Sequence, residues 1–174
     1  MEKISMYNAT IPEFIRSLEA MKGILAKAQK YAEEKKIEET VILESHLALD
    51  QFPFKKQVQM ISDYAKGTSA RLTGIENPKM EDTEKTLSEL VERMDKTVAF
   101  LKTFTREQFE GSEEREIPIY FFPGKFMYGL EYLHTLALPN FYFHLTTAYS
   151  ILRHYGMDLG KADYIGAINF RDEK

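Results

Sequence analysis

Leu87-Ser88-Glu89-Leu90-Val91-Glu92-Arg93-Met94-Asp95-Lys96-Thr97-Val98-Ala99-Phe100-Leu101 decides the fold class. Leu87, Leu90, Val91, Met94, Val98 and Leu101 recur at steps of three and four. That period puts them on one face of an α-helix, with the charged residues opposite. The pattern predicts a helix from about 82 or 83 to 104. Such a helix must bury its apolar stripe against neighbours of the same kind.

The same period extends outward in both directions. Upstream, Ile11, Phe14, Leu18, Met21, Leu25 and Ala28 predict a helix over 10–36. Thr10-Ile11-Pro12-Glu13 has the form of a capping box and sets its expected start. Gly23 weakens this helix by about 1 kcal/mol relative to alanine. Val58, Ile61, Ala65 and Leu72 predict a further helix over 53–72, stopped by Gly74. Residues 37–52 read as a connector with one helical turn at 40–43. Downstream, Arg115-Glu116-Ile117-Pro118-Ile119-Tyr120-Phe121 breaks the period and is rich in β-formers. Phe122-Pro123-Gly124-Lys125 is turn chemistry, and Phe126-Met127-Tyr128-Gly129 can pair back. A last helical region follows over 130–155, started or kinked by Pro139 and closed by Gly156. Residues 157–174 read as irregular, with Leu159, Tyr164, Ile165 and Phe170 lying on the bundle. The sum is an all-α protein: an up-and-down four-helix bundle with a small hairpin or extended excursion before the last helix. Residues 1–174 read as a single domain, without repeats or a Pro/Gly/Ser linker.

Composition excludes several functions. The 23 Lys and Arg against 27 Asp and Glu give a net charge of −4, which argues against a nucleic-acid surface. No apolar run is long enough to span a membrane. Met1-Glu2-Lys3-Ile4-Ser5 lacks the apolar core of a signal peptide. There is no cysteine, so thiolate chemistry and Cys-type zinc sites are out, and the sequence fits the cytoplasm. Ser150 lacks the context of a nucleophile elbow, and no phosphate-binding glycine fingerprint occurs.

The four histidines are His46, His134, His144 and His154. His144 and His154 lie roughly 80° apart around a helix and cannot form a ligand pair. His154 suits a helix C-terminus. Glu131-Tyr132-Leu133-His134 is a single Glu-x-x-His unit, where a di-iron bundle needs two. Asn140 and His144 are i and i+4 on one face, and Gln57 can meet them across the bundle. In the plainer reading, Asn140 caps a helix after Pro139 and His144 makes one buried hydrogen bond. In the functional reading, the three form a polar cleft walled by Phe141, Phe143 and Tyr149. The aromatic run from Tyr120 to Phe143 exceeds what one bundle seam needs. It points to a homodimer face or to the wall of an apolar pocket.

Ser5-Met6-Tyr7-Asn8-Ala9-Thr10, Gln57-Val58-Gln59, Leu138-Pro139-Asn140-Phe141-Tyr142-Phe143-His144 and Ile151-Leu152-Arg153-His154-Tyr155-Gly156 carry a resemblance, completed by Leu159-Gly160-Lys161-Ala162-Asp163-Tyr164-Ile165-Gly166. They resemble an uncharacterised domain-of-unknown-function family of the DinB/YfiT-like superfamily of four-helix bundles. Proteins of that superfamily are described as metalloenzymes with one His on the second helix and a His-x-x-x-His pair on the last. Some are transferases or isomerases that use bacillithiol, mycothiol or glutathione, and dimers are common. Carried over, the resemblance puts Gln57 at the second-helix position and Asn140 and His144 at the pair. Only His144 keeps the ligand type. Amide oxygens hold borderline ions far more weakly than imidazole, so Zn²⁺ or Ni²⁺ is expected to bind weakly or not at all. Three functions stay open: a small-ligand-binding bundle with a degenerate metal site, a metal-dependent thiol transferase or hydrolase using His144, and a structural homodimer. Whether the chain is an enzyme is not decided by these residues.

Overall fold

The structure is a computed structural model and describes residues 5–170. The expected lack of a signal-peptide core at 1–4 and the last residues of the tail, 171–174, lie outside the described residues. The long helices are α1 (Met6–Lys35), α3 (Phe54–Thr73), α4 (Leu87–Leu101) and α6 (Leu138–His154), with a short α2 (Glu39–Leu43) between the first two. Among the described residues, the strands β1 (Glu116–Pro118) and β2 (Phe126–Tyr128) form one antiparallel hairpin, with Ile117 opposite Met127. The protein is an all-α bundle. Every apolar residue expected inside α1 and α3 is buried, as are those of α4 apart from the partly buried Val91. No helix among the described residues is long and apolar enough to cross a membrane.

The helix directions correct the up-and-down expectation. Gln29 bonds Ser88 and Lys22 pairs with Asp95, so α1 and α4 run antiparallel. Phe14 packs on Phe141, and Tyr31 reaches the carbonyl of Tyr155, so α1 and α6 run parallel. His144 meets Gln57, and Tyr132 meets Arg71, so α3 and α6 run antiparallel. The order is therefore up-down-down-up. The reason lies in the connector from Gly74 to Thr86. Fully extended it reaches about 43 Å, enough to return along the roughly 30 Å of α3 and start α4 beside it in the same direction.

Two helix starts differ from expectation. α1 begins at Met6, where Ser5 Oγ accepts the Asn8 N–H at 3.2 Å. Pro12 consequently lies inside the helix. Thr10 caps nothing; its hydroxyl donates back to the Met6 carbonyl at 2.7 Å. α4 begins at Leu87 and ends at Leu101, shorter at both ends than predicted. Thr86 and Glu89 form the capping box, each serving the other's backbone N–H at 3.1 Å. Asp82 and Glu84, read as first-turn residues, instead turn inward to Arg93 of α4.

Arg93 holds the connector down. Its guanidinium, only 2 % exposed, meets Asp63 of α3 at 2.9 Å, Asp82 at 3.0 Å and Glu84 at 2.9 Å. Gln59 also donates to Glu84, at 2.8 Å. The residues after β2 form α5 (Gly129–Tyr132), a widened π-helical segment (Leu133–Ala137) and then α6. Pro139 sits in the first turn of α6, as a helix-starting proline would, although the chain enters α6 directly from the π-helical segment. The wider turns just before it accommodate the missing N–H and the bulky ring. The tail is not wholly irregular. A short α7 (Lys161–Ile165) packs on α1; Asp163 accepts the N–H of Gly160 just before it at 2.8 Å and pairs with Lys27 at 2.8 Å. Leu159 is buried there, while Phe170 is 86 % exposed.

Candidate functional site

Gln57 and His144 meet between α3 and α6. His144 Nδ1 lies 2.7 Å from Gln57 Oε1. Gln57 Nε2 donates to the Phe52 carbonyl at 2.9 Å, which fixes the amide with its oxygen toward the imidazole. An amide oxygen only accepts, so Nδ1 carries the proton and Nε2 keeps its lone pair. Both residues are buried. Burial, and then the nearby Lys56 ammonium, push the His144 pKa down to about 4. The ring is therefore neutral at pH 7.

This tautomer and pKa are testable by NMR. The His144 imidazole nitrogens should report a neutral Nδ1–H tautomer that does not titrate from pH 5.5 to 8. The folded pKa lies below the unfolded value of about 6.5. Stability associated with this group is thus complete above pH 6.5 and declines as pH falls from there toward 4. A His144 titration near 6.5 in the folded protein would contradict this.

The other expected residues lie as follows. Asn140 sits one turn before His144 and gives its amide nitrogen to the Leu136 carbonyl at 2.7 Å. It makes no polar contact with Gln57 or His144 among the described residues. Phe143 stands edge-on to the imidazole at 5.2 Å. Phe141 points the other way, into the core against Phe14. Tyr149 lies on Tyr164 of α7, near the tail. The ring that stacks on His144 is Tyr64, at 5.6 Å and 25°. Sequence reading missed it, although a signal existed: Tyr64 follows Gln57 by seven residues, two turns along the same helix face.

Among the described residues, no group of three His, Asp or Glu side chains is placed to hold a metal ion. One imidazole and two amides do not fit a tightly held divalent ion. Both amides are spent on backbone carbonyls through nitrogen, and neither brings charge.

The four-helix bundle is of the DinB-like class, as its likeness to a solved DinB family structure shows. The more particular assignment rests on two comparisons. The family described as "Domain of unknown function (DUF1993)" matches residues 6–165, and the chain belongs to it. A crystal structure of a DinB family member protein from Shewanella denitrificans is 40% identical. It superposes with a TM-score of 0.93, over 97% of this chain and 96% of that one. No functionally curated protein matches the chain.

Proposed function

We propose that this chain, taken as a single domain, is a small-ligand-binding bundle whose metal site has degenerated. One observation carries the reading. Gln57 occupies the second-helix position with an amide that is locked on Phe52 and spent as an acceptor for His144. An imidazole held this way by a carbonyl oxygen resembles a metal ligand oriented by its outer partner, but the partner itself supplies no further donor. The metal-dependent thiol-transferase reading needs an ion for which this donor set is poorly suited. The cysteine-free sequence fits a cytoplasmic protein.

Calorimetry tests the metal part. The parent should show Zn²⁺ or Ni²⁺ binding no tighter than a single imidazole gives. Gln57→His with Asn140→His should bind markedly tighter, because three imidazoles with an open position suit both ions. Tight stoichiometric binding by the parent that survives His144→Ala would overturn the proposed site.

We also propose that the protein is a homodimer through its hairpin. Tyr120, Phe122 and Tyr128 are 80 %, 61 % and 51 % exposed, and Phe121 and Phe126 stand beside them. Aromatic rings left in water in such number form an adhesive patch. Light scattering should give twice the chain mass, and a monomer at tens of micromolar protein would contradict it.

A further inference from the structure

An open cavity of about 480 Å³ lies beyond Tyr64, on the side of α3 facing the connector and the hairpin. Its volume falls in the range of small-molecule sites. Four rings wall it: Tyr64, Tyr120, Phe121 and Tyr132. Its charged lining is three cations, Lys66, Arg71 and Lys79, against the single carboxylate of Asp63. Two of the cations are already matched. Lys66 bonds Asp63 at 3.2 Å, and Lys79 pairs with Glu81 at 2.6 Å. Arg71 is different. It pairs with no carboxylate among the described residues, and its guanidinium donates to the Tyr132 hydroxyl at 3.2 Å.

The helix itself makes room for this guanidinium. Gly67 is buried in the interior of α3, where glycine costs about 1 kcal/mol relative to alanine. A Cβ there would stand 2.8 Å from Arg71 Nη1, so an alanine would oblige the flexible end of Arg71 to shift from this position. A guanidinium that is exposed at the cavity, unmatched by a carboxylate among the described residues and set among aromatic walls suits a planar anion on an apolar body.

We propose that this cavity binds a small monocarboxylate with an aromatic or aliphatic body, its carboxylate on Arg71 and its body against Tyr64, Tyr120 and Phe121. The proposal goes beyond the metal-site reading and does not depend on it, since chelator can be present throughout the test. The probes are 3-phenylpropionate and its neutral isostere 3-phenylpropionamide, titrated by protein-observed NMR. The acid should bind saturably and shift the Tyr64 and Tyr132 ring signals. The amide should bind roughly tenfold more weakly or worse, the difference expected for hydrogen bonds to a charged group. Arg71→Gln should weaken the acid by a similar factor and erase its advantage over the amide. Gly67→Ala, which favours the helix and obliges the guanidinium end to shift, should weaken the acid in the same direction and covers the case in which Arg71→Gln does not fold. Equal binding of acid and amide, unchanged affinity in both variants, or no saturable binding of the acid at millimolar concentration would each overturn the proposal.

Discussion

Arg93→Met is expected to lower the unfolding free energy by about 3 kcal/mol, the lower end of what breaking a buried ion pair costs. The lower end applies because Asp63 and Asp82 keep 33% and 36% of their side-chain surface in water and can rehydrate. Glu84, at 10%, cannot. Most of the loss should therefore trace to Glu84, and adding Glu84→Gln to Arg93→Met should recover more than about 1 kcal/mol. The pH dependence has a definite sign. Burial alone raises the Asp82 and Glu84 pKa values. Lys56 and Arg93 bonded to Asp82, and Arg93 and Gln59 bonded to Glu84, more than reverse this, so both fall below their ordinary values of 3.8 and 4.5. The stabilisation is present above those values and is lost as pH drops through the lower folded ones. Urea unfolding across the acid range should show this limb in the parent and a flatter one in Arg93→Met. A loss below about 1 kcal/mol at neutral pH would mean that the cluster contributes little net stability.

Gly129→Ala is expected to destabilise by about 3 kcal/mol or more, whereas Gly23→Ala should stabilise by about 1 kcal/mol. The substitution is identical and only the surroundings differ. A Cβ on Gly129 would sit 1.9 Å from the Ser112 carbonyl oxygen and 3.2 Å from Leu72 Cδ2. Ser112 is buried and its backbone cannot rotate away as a side chain could. The turn would have to lift off α5, putting at risk the 3.0 Å bond from the Leu130 N–H to the Glu113 carbonyl. Gly23 has no atom within 4 Å of its would-be Cβ and faces solvent in mid-helix. Thermal unfolding of the two variants should therefore shift in opposite directions, and a tolerated alanine at 129 would refute the close packing described.

The site was legible to different depths. Gln57 and His144 each lie on a helix face that the sequence pattern implies, and the resemblance, not the spacing, matched the two positions; their contact itself comes from the antiparallel packing of α3 and α6. Asn140 shares that face with His144, yet its amide answers to the Leu136 carbonyl within its own helix. That outcome turns on the widened segment before Pro139, which no spacing rule reveals. Phe141 and Tyr149 were placed by proximity in sequence, but around a helix they point at α1 and α7.

Apolar stripes, the hairpin and the stop at Gly74 are local information, carried by residues within a few positions of one another. That suffices for the all-α class, for the stripes buried in α1, α3 and α4 and for the strands on either side of Phe122-Pro123-Gly124. Only the tertiary structure decided the helix directions, the capture of Asp82 and Glu84 by Arg93, the crossing of the 112–113 backbone over Gly129 and the stacking of Tyr64 on His144. Each joins residues from separate elements. Their proximity depends on how the whole chain packs, and the same side chains would read alike in a bundle where they never met.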